Sequence, residues 1–168
     1  PKGLDHILFV VGLFLLSMRL SPLVWQISAF TIAHTVTLAL GITGTVVISP
    51  AIVEPLIALS IVYVAVENMM TDRLHRWRPA VVFCFGLLHG LGFAGVLKEI
   101  GLEQDDFLIS LVTFNLGVEA GQLTIVAICL SLVYWFRHRD WYRKVITIPA
   151  SLCIAMIGAW WTLERVIS

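Results

Sequence analysis

Ionisable and amide side chains interrupt otherwise apolar stretches of this 168-residue chain. Those best suited to chemistry are Asp5, His6, His34, His89, Asn115, Glu119 and Glu67. A charged group inside a bilayer costs about 2.5–3.5 kcal/mol on insertion scales, so such groups normally face the interior of a helix bundle and carry function. Imidazole nitrogens suit Ni, Co, Cu, Zn and Fe, and added carboxylates favour a divalent ion over Cu(I). These residue types therefore predict a transition-metal site.

The same residues also have a structural interpretation. A single intramembrane histidine often only hydrogen-bonds a backbone carbonyl or a neighbouring threonine. Gly86 and Gly90, like Gly117 and Gly121, have the small-xxx-small spacing that lets two helices approach closely. Helix packing and metal binding are compatible, so this pattern does not decide between them.

The composition indicates that the elements holding these residues cross a membrane. Hydrophobic residues make up 59% of the chain and charged residues 13%, and the mean hydropathy is +0.94. Soluble domains are about 45–50% apolar and about 25% charged. A helix needs about 20 apolar residues to cross the hydrocarbon core. The stretches that meet or approach this length are residues 4–18, 22–47, 51–70, 79–97, 107–136 and 145–163. The last part of the second stretch, residues 41–50, is also compatible with a loop because it is rich in Gly, Thr, Val and Ile.

We therefore predict an all-α integral membrane protein, a bundle of six transmembrane helices that forms a single domain over residues 1–168. The loops after the first, third and fifth helices hold eight basic residues, and the opposite side holds only Lys2, Lys98 and Arg165. By the positive-inside rule the first set faces the cytoplasm. This predicts a multi-pass protein of the cytoplasmic membrane with both termini outside (N-out/C-out) and an acidic outer loop at residues 98–106.

The rise of 1.5 Å per residue gives each polar group an expected depth. Four of them come out roughly 12–18 Å from a membrane face, which fits one mid-membrane layer. This layer comprises His34, His89, Asn115 and Glu119. Asp5 and His6 are expected above it at the outer mouth, and Glu67 nearer the cytoplasm.

Several motifs resemble the HupE/UreJ family, whose members are associated with nickel or cobalt uptake. Gly3-Leu4-Asp5-His6 is similar to the family's G-x-D-H segment, and Leu88-His89-Gly90 to its second histidine-glycine motif. The runs around His34, Glu67 and residues 114–119 are most similar to the second HupE/UreJ-type subfamily. The resemblance covers nearly the whole chain and implies six helices. It also implies that an N-terminal extracytoplasmic region has been trimmed from this chain. The metal-binding residues that it implies are Asp5, His6, His34 and His89.

The chain departs from the family's nickel-permease pattern at two positions of the fourth helix. Phe85 stands where the pattern has a further histidine, and Gly92 where it has a glutamate. Nickel selectivity is therefore not carried over, and the ion is left open between Ni, Co and Zn.

Three classes of function account for these residues. The first, which we favour, is a permease for a divalent transition metal, collected by Asp5 and His6, held in the mid-membrane layer and passed inward by Glu67. The alternative is a membrane-embedded zinc hydrolase, since three histidines and a carboxylate can hold Zn²⁺ with an open position for water. The third is a structural or sensory membrane partner that binds no metal. The expected partners are the lipid bilayer and a metal ion. Nucleic acid is not expected, because no basic stripe is present. A homo-oligomer is compatible with all three classes of function.

Overall fold

A computed structural model describes residues 2–17, 19–100 and 107–167. Within these ranges the chain forms six α-helices and no strand, which confirms the predicted helical bundle. The helices are α1 (Lys2–Leu16), α2 (Leu20–Ile42), α3 (Pro50–Met70), α4 (Arg78–Ile100), α5 (Phe107–Val133) and α6 (Ile148–Ile167), the last preceded by a π-helical turn (Arg143–Thr147). We call the end of the bundle where α1 begins and α6 ends the Asp5 end. The opposite end, where α3 ends and α4 begins, is the Glu67 end.

Five of the helices are long and apolar enough to cross a membrane, and α1 is shorter. Its 15 residues span about 22 Å, less than a hydrocarbon core of about 30 Å. It packs against α2, α3, α5 and α6 and buries Phe9 and Leu13, while Leu4 and Ile7 near its start are exposed. Large apolar side chains such as Trp135 and Met70 point outward on the rest of the bundle, as contact with lipid requires.

Several predicted boundaries shift in the structure. Helix α2 ends at Ile42, so residues 43–47 of the second predicted span are loop. Gly44 in this loop has φ 75°, a conformation that favours glycine. Helix α5 ends at Val133, and residues 134–136 lie in turns. The predicted end of the first span at residue 18 and the acidic residues 101–106 lie outside the described residues, as do the side chains of residues 98–100.

Close helix packing is concentrated between α2 and α4, which contact each other most extensively, followed by α3 and α6. A Cβ added to Gly86 would lie 2.5 Å from the carbonyl oxygen of Phe30, and one added to Gly90 would overlap the carbonyl oxygen of His34. The packing interpretation of this glycine pair is therefore correct. Gly117 and Gly121 pack against no other helix among the described residues, since a Cβ on either would meet open space.

Candidate metal centre

Three histidines from three helices meet inside the bundle. The His6 ring on α1 lies with its centroid 5.3 Å from that of His34 on α2 and 4.9 Å from that of His89 on α4. Both contacts are edge-to-face, with interplanar angles of 80° and 89°. His6 was expected above the other two histidines. The short, central α1 instead brings it into contact with both of them.

Hydrogen bonding sets the tautomer of His34. The amide nitrogen of Asn115 donates to the carbonyl oxygen of Leu111 at 2.8 Å, so the amide oxygen of Asn115 is the atom that faces His34. That oxygen lies 3.1 Å from His34 Nδ1 and can only accept, so Nδ1 carries the proton. His34 Nε2 is then a lone-pair nitrogen, buried and without a hydrogen-bond partner among the described residues.

The same reasoning sets the tautomer of His89. The Ser60 hydroxyl donates to the carbonyl oxygen of Ile57 at 2.7 Å, so its oxygen is left to accept from His89 Nε2 at 3.2 Å. The lone pair of His89 therefore lies on Nδ1. Within the described part of the chain this atom too is buried and makes no hydrogen bond. Sequence reasoning missed Ser60, which lies 29 positions before His89.

Phenylalanines enclose the three imidazoles. Phe30 lies against all three, at centroid distances of 5.6 Å from His6, 6.0 Å from His34 and 5.1 Å from His89. Further rings come from Phe9, which lies 5.2 Å from His89, and from Phe93, which lies 5.3 Å from His6. An apolar enclosure of this kind excludes water and strengthens every electrostatic interaction inside it.

Asp5 lies at the mouth of a pocket that leads to the histidines. The pocket is narrow, with a cavity volume of about 10 Å³, and is lined by Asp5, His6, Glu54, Ile57, His89, Gly92, Phe93 and Arg165. Asp5 is buried, and both of its carboxylate oxygens lie 3.0 Å from Nη2 of Arg165 on α6. Gly92, one of the two positions that depart from the nickel-permease pattern, thus lies on the wall of this pocket.

The polar residues of α5 face α2. Besides the bond between Asn115 and His34, Ser28 donates to a carboxylate oxygen of Glu119 at 3.1 Å, and Thr31 donates to Gln122 at 3.3 Å. Ser28 precedes His34 by six residues, about 9 Å along α2 toward the Glu67 end. Glu119 therefore lies below the histidine layer in which it was expected.

Glu67 forms an ion pair with Arg78, the first residue of α4. Arg78 Nε lies 3.7 Å from Glu67 Oε2, and the exposed fractions of the two side chains are 2% and 9%. Arg78 was expected in a basic loop at the cytoplasmic surface. The structure buries it inside the Glu67 end, because the carboxylate of Glu67 provides the counter-charge that a buried guanidinium needs.

The structure thus brings His6, His34, His89 and Asn115 together, puts Asp5 at the adjoining pocket, and leaves Glu119 and Glu67 nearer the other end. Among the described residues, no three His, Cys, Asp or Glu side chains already surround one metal position. His6 packs edge to face against the other two imidazoles, so its ring must turn before all three can share an ion. The arrangement offers two fixed lone pairs and a third ring in contact with both.

A family model described as HupE / UreJ protein matches residues 1–165, essentially the whole chain. No curated protein matches the chain, and no solved structure does.

Proposed function

Because this chain belongs to the HupE/UreJ family, which is associated with nickel and cobalt transport, we propose that it carries a divalent transition-metal ion across a membrane. One observation supports this above all. His34 and His89 each use one ring nitrogen in a hydrogen bond, and the other ring nitrogen, Nε2 of His34 and Nδ1 of His89, is buried without a partner among the described residues. A histidine that served only as a packing hydrogen bond would not need a second nitrogen buried without a partner.

In this proposal the cargo ion is bound by His6, His34 and His89. Neutral imidazole nitrogens suit Ni²⁺, Co²⁺ and Zn²⁺. Asn115 and Ser60 act as positioning residues, because each accepts the N–H of one histidine and so orients its ring and raises its basicity. Asn115 was predicted to be a ligand; we propose the positioning role instead, because its amide oxygen faces His34 Nδ1.

The remaining carboxylates mark a route through the bundle. The ion would enter through the pocket at Asp5, be held in the histidine layer, and continue past Glu119 toward Glu67. Glu67 is bound to Arg78, so an ion that reaches it must compete with a guanidinium. We propose further that the chain is one six-helix domain in the cytoplasmic membrane, with the Asp5 end outside. A homo-oligomer stays a prediction.

The test begins with the metal content of detergent-purified protein, measured by elemental mass spectrometry. We expect stoichiometric metal in the wild type and its loss in the double variant His34→Ala/His89→Ala. The matched control is His75→Ala/His138→Ala, which removes the same number of histidines at exposed positions and should retain the metal. Absence of metal from the wild type, even after loading with Ni²⁺, Co²⁺ or Zn²⁺, would contradict the proposal and favour a structural or sensory role.

Transport is then measured by uptake of the same ion into proteoliposomes. Wild type and control should take up the ion, and His34→Ala/His89→Ala should not. Protein that binds the ion but does not move it would contradict transport and favour the membrane-embedded hydrolase instead.

A further inference from the structure

The pocket at the Asp5 end already holds a cation that belongs to the chain itself. Nη2 of Arg165 lies 3.0 Å from both carboxylate oxygens of Asp5, and Nη1 donates to the carbonyl oxygen of Glu54 at 3.1 Å. The guanidinium also lies over the ring of Trp161, with Cζ 5.5 Å from the ring centroid. Arg165 therefore binds, from α6, the Asp5 carboxylate on α1 and a backbone carbonyl oxygen on α3.

The position of Arg165 bears directly on the histidines. Arg165, His6 and His89 line the same pocket, and Asp5 precedes His6 in the chain. A divalent ion at the histidines would be repelled by the guanidinium and attracted by the Asp5 carboxylate. The guanidinium and the ion thus compete for one carboxylate. Arg165 lies in the last turn of α6. Its long side chain can therefore move away from Asp5 without disturbing the helix.

We propose that Arg165 is a tethered competitor of the cargo ion, displaced from Asp5 when a divalent ion binds. The inference rests on the proposed function. Its consequence is selectivity by charge. A monovalent ion that displaces the guanidinium replaces one positive charge with another and gains no binding energy. A divalent ion with affinity for imidazole gains binding energy by the same exchange. Arg165 is in this sense a specificity-determining residue that does not itself touch the ion.

The test compares Co²⁺ affinity, by isothermal titration in detergent, among wild type, Arg165→Gln and Arg165→Lys. Removal of the competing charge should tighten Co²⁺ binding by about tenfold or more in Arg165→Gln. Arg165→Lys, which keeps the charge, should stay within about threefold of wild type. The double variant Asp5→Asn/Arg165→Gln should lose the gain, because the carboxylate released by the single change is gone. Unchanged or weaker binding in folded Arg165→Gln would overturn the inference.

A second measurement does not depend on the folding of Arg165→Gln. The emission of Trp161, taken as the difference between wild type and Trp161→Phe, should change when Zn²⁺ binds, because the guanidinium leaves the ring. Zn²⁺ that binds without changing this emission would overturn the inference and leave the proposed function standing. Wild type that binds neither Co²⁺ nor Zn²⁺ would remove both.

Discussion

The side-chain amide of Asn115 bridges His34 to the backbone of its own helix, with the oxygen 3.1 Å from His34 Nδ1 and the nitrogen 2.8 Å from the carbonyl oxygen of Leu111. Because the nitrogen is already used, the amide cannot turn over and offer His34 a donor. The imidazole is thereby kept in one tautomer. Under the proposed function, Asn115 therefore acts on the ion through His34.

Loss of this bridge should weaken metal binding without removing a ligand. We expect Asn115→Ala to lower Co²⁺ affinity by about 10–100-fold, as is typical when a partner of a metal-ligating histidine is lost. Asn115→Asp keeps an acceptor and should retain most of the affinity. The Co²⁺ affinity of both variants is measured by isothermal titration in detergent. Equal affinities in wild type and Asn115→Ala would show that the tautomer of His34 does not matter.

Ser60 should act in the same way on His89. Ser60→Ala removes the acceptor of Nε2–H, so we expect Co²⁺ affinity to fall by about tenfold. Ser28→Ala is the matched control, because Ser28 binds Glu119 and contacts neither His34 nor His89 by a hydrogen bond. If the two serine variants lost affinity equally, the effect would reflect general disturbance of the bundle.

The glycines of α4 and α5 should respond to alanine in opposite ways. Gly90→Ala drives a Cβ into the backbone of α2 and should destabilise the protein by about 1–3 kcal/mol. Gly121→Ala has open space and should be neutral or stabilising by up to about 1 kcal/mol, since alanine is the better helix former. Thermal unfolding in detergent compares the two. Destabilisation by Gly121→Ala would indicate that α5 packs against a second copy through this face.

The buried pair at the Glu67 end should be sensitive to the loss of one partner. Arg78→Ala leaves the Glu67 carboxylate without its counter-charge, and we expect a loss of about 3–5 kcal/mol. Glu67→Gln/Arg78→Met removes both charges and should recover most of the lost stability. The exposed Arg76 provides the control, because Arg76→Ala should change stability by no more than about 0.5 kcal/mol. A double variant as unstable as Arg78→Ala would refute this electrostatic account.

Membrane orientation is tested with two exposed loop positions at opposite ends of the bundle. In a background with the native cysteines replaced by alanine, a membrane-impermeant maleimide applied to intact spheroplasts should label Thr45→Cys and spare Asp72→Cys. Permeabilised membranes provide the control, in which both positions should be labelled. Labelling of Asp72→Cys alone would invert the predicted orientation.

The elements were predictable from the sequence because apolar length is a local property. Polar residues inside apolar helices could likewise be recognised one at a time. The partners of those residues could not, because the contacts that define the site join positions far apart: 81 residues for His34 and Asn115, and 160 for Asp5 and Arg165. Helical periodicity states which face of a helix is polar but not which other helix it meets.

The position of α1 was the main feature that the sequence did not reveal. The expected depths were obtained by counting residues from the start of each helix, as if every helix began at the membrane surface. This count put His6 above the other histidines. Helix α1 is too short for that count and packs against the other helices, so His6 reaches the layer of His34 and His89. The surroundings of Gly117 and Gly121 could not be predicted for a related reason. Their spacing alone does not state whether another helix lies opposite them.

The glycine contacts between α2 and α4 have a mechanical consequence. At Gly86 and Gly90 the backbone of α4 lies directly against the backbone of α2 at Phe30 and His34, so His34 and His89 are carried by one closely packed helix pair. His6 is attached to a different helix and is the only one of the three histidines outside that pair. In the proposed transporter, a displacement of α1 relative to the α2–α4 pair would separate His6 from the other two histidines and so favour release of the ion.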